Sequence, residues 1–277
     1  MNCANNQILE DEEYEDPREI TLHAEEDFAG MRKAGRLAAE VLDMIVPHVQ
    51  PGVSTLRLDE ICHEFIVSHG ALPAPLGYRG YPKSICTSVN HVVCHGIPGE
   101  YKLKDGDIIN IDVTVIVDGW HGDTSRMYWA GEPKILPRRL TQVTYDAMMK
   151  GIEEIRPGAT LGDIGHAVQS YAESFRFSVV REYCGHGIGK VFHAPPSVLH
   201  YGRRGKGTVL KPGMFLTVEP MINTGDWRTI LSKHDGWTVT TRDKSLSAQF
   251  EHSIGVTDDG YEIFTQSPKG LHHPPYA

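Results

Sequence analysis

The stretch Ile108-Ile-Asn-Ile-Asp112-Val-Thr-Val-Ile-Val-Asp118-Gly119-Trp-His-Gly-Asp123 decides how this chain folds. Asp118-Gly119 is a two-residue hairpin turn signal set between alternating strands. A hairpin closed there pairs Val117 with Trp120, so Asp112 faces Ser125 and Asp123 faces Thr114. Side chains alternate along a strand, which puts Asp112 and Asp123 on one face as diagonal neighbours. Two carboxylates that close raise each other's pKa unless a cation lies between them. For an Asp pair standing alone, a solvated hairpin face is the commoner reading. Ile111, Val113 and Val115 suit a strand with one buried face and leave open which face is wet.

The second half of the chain repeats the first. Leu103-Lys104-Asp-Gly106-Asp-Ile-Ile-Asn-Ile-Asp112 has a counterpart in Leu210-Lys211-Pro-Gly213-Met-Phe-Leu-Thr-Val-Glu219, at an offset of 107. Pro51-Gly52-Val-Ser-Thr-Leu56 has another in Pro157-Gly158-Ala-Thr160-Leu161, offset by 106 or 105. A near-constant offset in two separate features indicates an internal duplication, with helix, Pro-Gly, helix and strand built twice. Asp112 and Glu219 then occupy equivalent positions in facing halves.

The periodicity predicts a first helix with Phe28, Met31, Leu37, Val41, Leu42 and Ile45 inward, broken by Pro51-Gly52. Ser54 or Thr55 caps a second, in which Leu58, Ile61, Cys62, Phe65 and Ile66 keep helical spacing up to Gly70. Residues 71–130 read as strands and turns. Residues 139–175 repeat the helix pair, with Ile164, Val168, Tyr171 and Ala172 on the buried stripe, and 178–265 return to strands. The fold class is α+β. The expected division is an acidic extension over 1–24, one catalytic domain over 25–266 with halves about 25–138 and 139–266, and a tail over 267–277. The tail, Leu271-His-His-Pro-Pro275, reads as a loose end.

Lys and Arg number 27 against 36 Asp and Glu, a net charge of −9, which offers no electrostatic patch for nucleic acid. Part of that excess is the solvated arm Glu10-Asp-Glu-Glu-Tyr-Glu-Asp16. No apolar run approaches the roughly 20 residues of a membrane span, and the start lacks an apolar signal core. Cys3, Cys62, Cys86, Cys94 and Cys184 are odd in number and without CxxC spacing, which fits a reducing cytoplasm.

Several stretches together resemble the type I methionine aminopeptidases. They are Gly77-Tyr-Arg-Gly-Tyr-Pro-Lys-Ser84, Val93-Cys-His95-Gly-Ile-Pro98, Asn110-Ile-Asp112-Val-Thr, His121-Gly-Asp123-Thr-Ser and Arg181-Glu-Tyr-Cys-Gly-His186-Gly-Ile-Gly. Phe192-His193, Glu219-Pro-Met, Asp235-Gly-Trp237-Thr-Val and Ser247-Ala-Gln-Phe-Glu251-His follow in the same order. The likeness runs from about residue 28 to 265. It implies the pita-bread fold: two pseudo-symmetric halves, with helices around an antiparallel sheet.

The resemblance also implies chemistry. Asp112, Asp123, His186, Glu219 and Glu251 become ligands to two divalent ions, whose four positive charges balance four carboxylates. Oxygen-rich ligation with one imidazole suits Co, Mn or Fe. Two such ions share a bridging water, and the resulting hydroxide attacks the first peptide carbonyl. His95 and His193 match positions that contact the scissile amide, and Glu219 matches the carboxylate that shuttles a proton to the leaving amine. Tyr78, Tyr81, Cys86, Phe192 and Trp237 match the methionine pocket, where sulfur gains from ring edges. The implied activity removes the initiator methionine from nascent chains whose second residue is small, in the cytoplasm and by a monomer. Nascent N-termini are the partners, whether or not at the ribosome.

Ala194-Pro195 departs from the family, where acidic residues are common, and the acidic arm has no family counterpart. His91, His200, His234 and His252 keep the default reading of surface or satisfied core residues. Two alternatives stand beside this one: a proline dipeptidase or aminopeptidase P, and a metal-free binding protein on the same fold.

Overall fold

The computed structural model describes residues 19–276. The Asp118-Gly119 turn closes the hairpin of Asp107–Val117 with Trp120–Ala130, with φ 51° at Asp118 and 82° at Gly119. Positive φ at both central residues is what a tight turn matched to strand twist requires. The register pairs Val117 with Trp120, Asp112 with Ser125 and Thr114 with Asp123.

Both faces of this hairpin are covered, the polar one apart from the cavity that Asp112, Thr114 and Asp123 line. Ile109, Ile111, Val113 and Val115 lie under two helices, α1 (Glu25–Met44) and α2 (Thr55–Ser68). Phe28, Met31, Leu37, Val41 and Leu42 of α1 and Leu58, Cys62 and Ile66 of α2 fill that core. Gly122 allows the close approach, because a Cβ there would stand 2.3 Å from the Ala34 carbonyl carbon. The opposite face, carrying Asn110, Asp112 and Thr114, turns toward the second half. The solvated-face reading fails because the second half covers it.

That second half is built alike. Helices α3 (Ile135–Ile152) and α4 (Leu161–Ser174) pack on a core containing Leu216 and Val218, while Thr217 and Glu219 take the other face. Helix α3 begins ahead of residue 139 and takes Pro137 into its first turn, where a missing N–H has no intrahelical acceptor to lose. The duplication extends to hydrogen bonds: Gly52 N–H donates to Leu103 O, and Gly158 N–H to Leu210 O. The return bonds run from Leu103 N–H to Val53 O and from Leu210 N–H to Ala159 O.

Antiparallel sheets join the parts. Phe215–Val218 lies between His252–Val256 and Gly185–Gly187, and the latter pairs with Ala194–Val198. Cys86–Val89 pairs with the long hairpin so that Cys86 stands opposite Asp112. The halves are stitched by Glu251 N–H to Ser125 O (3.0 Å), Thr124 Oγ1 to Glu251 O (2.7 Å) and Ser253 Oγ to Asp123 O (2.7 Å).

Both ends of the described chain pack. The acidic stretch Glu10–Asp16 lies outside the described residues, but His23 stacks on Phe215 at 4.1 Å and Ile20 joins the second core. The packed body therefore begins ahead of residue 25. The tail is not a loose end. Ser267 donates to Asp43, the His273 ring meets Tyr145 at 4.8 Å, and Tyr276 Oη donates to Met127 O at 2.8 Å. The sequence reading missed this because those partners lie far away along the chain.

Asp43 is the anchor. It takes Arg126 Nη1 at 2.5 Å, with both side chains buried, and it also accepts from Ser267 Oγ and Lys269 N–H. Removing one partner of a buried ion pair strands the other charge, at a cost of about 3–5 kcal/mol. Asp43→Ala is expected to lose that much in urea unfolding and to free the tail to proteolysis. The apolar pair Asp43→Leu with Arg126→Leu is expected to lose less, since no charge is left behind.

Candidate metal centre and active-site cavity

The polar faces of the two halves meet at a cavity of about 200 Å³. Its lining includes all twelve residues singled out from the sequence. Asp112, Asp123, His186, Glu219 and Glu251 form one group, His95 and His193 a second, and Tyr78, Tyr81, Cys86, Phe192 and Trp237 a third. Arg79 is the one Lys or Arg among the described residues lining it. Thr114 and Tyr183 line it too and were missed. Their motifs, Asp112-Val-Thr114 and Tyr183-Cys-Gly, were in view, but no spacing rule gave them a task.

The acidic floor is crowded. Ligand atoms of Asp123, His186 and Glu251, all buried, lie within 4.8 Å of one another. His186 Nε2 is 3.6 Å from Asp123 Oδ2 and 3.6 Å from Glu219 Oε1, too far for hydrogen bonds. Burial first, then Asp123 and Glu219, push Asp112 well above the usual carboxylate range. Burial raises Asp123 to about 7 against the pull of its Thr114 hydrogen bond. Burial and then Asp123 raise Glu219 to about 8, and Glu251 also stands well above its ordinary value, from burial and then Asp123. Four carboxylates that raise one another's pKa, two of them 3.6 Å from a buried imidazole nitrogen, fit a divalent-cation site.

The neighbours hold these donors ready. His186 Nδ1–H donates to Gly187 O at 3.0 Å, which leaves the Nε2 lone pair toward the carboxylates. Burial lowers its pKa to about 3, so the imidazole is neutral and able to ligate. Thr217 links two donors: its Oγ1 accepts from His186 N–H at 3.0 Å and donates to Glu219 Oε1 at 2.8 Å. Gln249 Nε2 donates to Glu219 Oε2 at 3.2 Å, and Glu219 N–H donates to His200 Nε2 at 2.9 Å. Thr114 Oγ1 donates to Asp123 Oδ1 at 2.6 Å. His200 is thus a core histidine, but only its Nε2, which holds a proposed ligand's backbone, is satisfied; its buried Nδ1 has no hydrogen-bond partner among the described residues. Residues of this supporting kind carry no signal in a single sequence.

Above this floor, His95 follows the strand Val92–Cys94 in the left-handed region at φ 56°, which costs a non-glycine residue of order 1–3 kcal/mol. That turn sends its ring between Tyr183 and Trp237, with centroids at 5.7 and 6.0 Å. Burial lowers its pKa to about 4. His193 sits 4.3 Å from His186 by ring centroid, and burial first, then His186, lowers its pKa. Tyr81 meets Trp237 edge-on at 5.1 Å, and Phe192 lies 4.9 Å from Tyr78. Cys86 stays a neutral thiol, its pKa raised by burial and then by Asp112.

The chain is similar to known proteins in sequence and in fold. The sequence pattern of metallopeptidase family M24 matches residues 29–258. The methionine aminopeptidase of Rickettsia prowazekii is 70% identical over 257 residues, covering 93% of this chain and 99% of the relative. That of Escherichia coli K12 is 57% identical over 248 residues, covering 89% and 94%. The crystal structure of the Rickettsia prowazekii enzyme superposes with a TM-score of 0.89, covering 89% of this chain and all of that one. A prolidase from Pyrococcus horikoshii, 18% identical, superposes at 0.71 over 89% of this chain and 63% of its own, and so shares the pita-bread fold. The chain belongs to metallopeptidase family M24 and, within it, to the methionine aminopeptidases.

Proposed function

We propose that this chain is a metal-dependent aminopeptidase that removes the initiator methionine from nascent polypeptides with a small second residue. The observation that carries the reading is the single cavity itself. It gathers five ligand-type side chains, two histidines outside that set and an aromatic and sulfur wall. The same kinship to methionine aminopeptidases favours this over a proline dipeptidase, for which the likeness is one of fold. A metal-free binding protein is disfavoured by the floor, where each proposed ligand position keeps a donor.

Asp112, Asp123, His186, Glu219 and Glu251 would hold two divalent ions, of which Co, Mn and Fe suit the donor set. When bound, such ions polarise the scissile carbonyl and acidify water, so that hydroxide is available near neutral pH. The methionine side chain packs against Tyr81, Cys86, Phe192 and Trp237, where its sulfur meets ring edges. His95 and His193, neutral and outside the ligand set, donate N–H groups toward the charge that grows on the reacting amide. Glu219 carries a proton to the leaving amine. The N-termini of new chains, met in the cytoplasm, are the substrates. No described helix is long and apolar enough to cross a membrane.

The raised carboxylates fix how stability should follow pH. A group whose pKa is raised by folding stabilises the fold below its ordinary value, and that contribution is lost as pH climbs through the raised one. For Asp123 and Glu219 the loss ends at about 7 and about 8. The lowered histidines, His186 at about 3 and His95 at about 4, act oppositely. Their contribution is complete above the ordinary 6.5 and shrinks below it. Between pH 6.5 and about 8 the carboxylates therefore govern. The Tm of chelator-treated protein is expected to fall across that window, and saturating Mn to raise Tm most at its upper end. A chelated protein whose Tm rises there would contradict the account of the floor.

Activity is tested by release of free methionine from Met-Ala-Ser with Mn, Fe or Co. Metal-dependent release is expected, reduced to background by Asp112→Ala, with Xaa-Pro peptides left intact. His193→Ala is expected to lower kcat about 10²–10³-fold, the scale of one donor to a developing oxyanion. Folded protein that releases no methionine with any of these metals would overturn the reading, and preferential cleavage of Xaa-Pro would replace it.

A further inference from the structure

Tyr78 and Tyr81 look alike in the sequence, as two rings of one pocket, but their hydroxyls go different ways. Tyr81 Oη lies 3.1 Å from the carbonyl oxygens of both Ile85 and Gly96, which share its single proton, and so serves the backbone. Tyr78 Oη lies 2.9 Å from His193 Nδ1, and the two rings stack at 5.2 Å with 27° between planes. The segment carrying Tyr78 is itself fixed. Gly77 takes φ 83° and Arg79 φ 48°, and the turn is closed by Gly77 N–H to Tyr81 O (2.8 Å) and Tyr81 N–H to Tyr78 O (2.9 Å). The hydroxyl is thus delivered by a tight backbone turn.

His186 and His193, with ring centroids 4.3 Å apart, have different partners on Nδ1. The partner of His186 is a carbonyl, which can only accept, so Nδ1 carries the proton and Nε2 the lone pair. The partner of His193 is a phenol, which can donate. With Nδ1–H the ring would turn an Nε2 lone pair into a cavity that Asp112, Asp123, Glu219 and Glu251 also line. With Nε2–H it turns a positive edge toward them. His193 Nδ1 is the hydrogen-bond partner of the Tyr78 hydroxyl, so the arrangement that satisfies the phenol proton is the second, in which Tyr78 Oη donates to Nδ1.

We propose that Tyr78 is a positioning residue whose hydroxyl holds His193 in its Nε2–H tautomer, so that two adjacent histidines divide the work, His186 as lone-pair ligand and His193 as N–H donor. The inference rests on the aminopeptidase reading for its kinetic consequence, but the tautomer does not depend on that reading. Tyr78→Phe removes the hydroxyl and keeps the ring stack and the pocket wall. Loss of a supporting hydrogen bond of this kind typically costs 10–100-fold.

The test combines nitrogen NMR of ¹⁵N-histidine-labelled protein with steady-state kinetics on Met-Ala-Ser. His193→Gln assigns the His193 signals. The wild-type protein, free of metal, is expected to show His193 as Nε2–H, and Tyr78→Phe to lose that preference. In the metal-loaded enzyme Tyr78→Phe is expected to lower kcat about 10–100-fold with KM and the choice of methionine over norleucine unchanged. A wild-type His193 protonated on Nδ1 would overturn the proposal. So would Tyr78→Phe with wild-type kcat, or a loss lying in KM and side-chain choice, which marks a pocket wall alone. Wild-type protein that releases no methionine would sink the aminopeptidase reading, and the NMR would still decide the tautomer.

Discussion

The structure depends on four carboxylates buried together where its two halves meet. Isolated, such a cluster is unfavourable: burial and mutual repulsion push all four toward protonation. Divalent cations reverse that balance, because each supplies the positive charge that the lining, with Arg79 its one Lys or Arg among the described residues, lacks. The surrounding architecture holds the oxygens in place. The inter-half stitches at Ser125, Thr124 and Ser253 fix the strands that carry Asp123 and Glu251. Thr217, Gln249 and His200 hold Glu219 from three sides.

Duplication explains how so polar a floor is built. In each half one strand alternates between an apolar face, covered by a helix pair, and a polar face left over. Ile109 and Ile111 answer to Leu216 and Val218; Asn110 and Asp112 answer to Thr217 and Glu219. Each polar face largely covers the other, and what is left between them is the cavity that Asp112 and Glu219 line. The site is thus a by-product of pairing two amphipathic halves, and its proposed ligands come from both.

How much of this was legible from the sequence varied with distance along the chain. The hairpin register followed from Asp118-Gly119 and strand alternation alone, and the 107-residue offset revealed the halves. That Asp112 and Asp123 meet Glu219 and Glu251 needed contacts across more than a hundred residues, which no local rule supplies. Only the family resemblance put them together beforehand. Thr217 and His200 were invisible as supports, since a buried hydrogen-bond partner leaves no period in the sequence. The tail was misread for the same reason: Ser267 finds Asp43 at a separation of 224 residues. The two tyrosines mark a further limit, because sequence gives the ring and not where its hydroxyl points.

A floor of four carboxylates and one imidazole that holds divalent cations should bind them in place. Anomalous diffraction from crystals grown with Mn tests it most directly. Two anomalous peaks are expected in the cavity, within bonding distance of oxygens from Asp112, Asp123, Glu219 and Glu251 and of His186 Nε2. A floor without anomalous density at saturating Mn, its carboxylates hydrogen-bonded to one another as protonated acids, would contradict it.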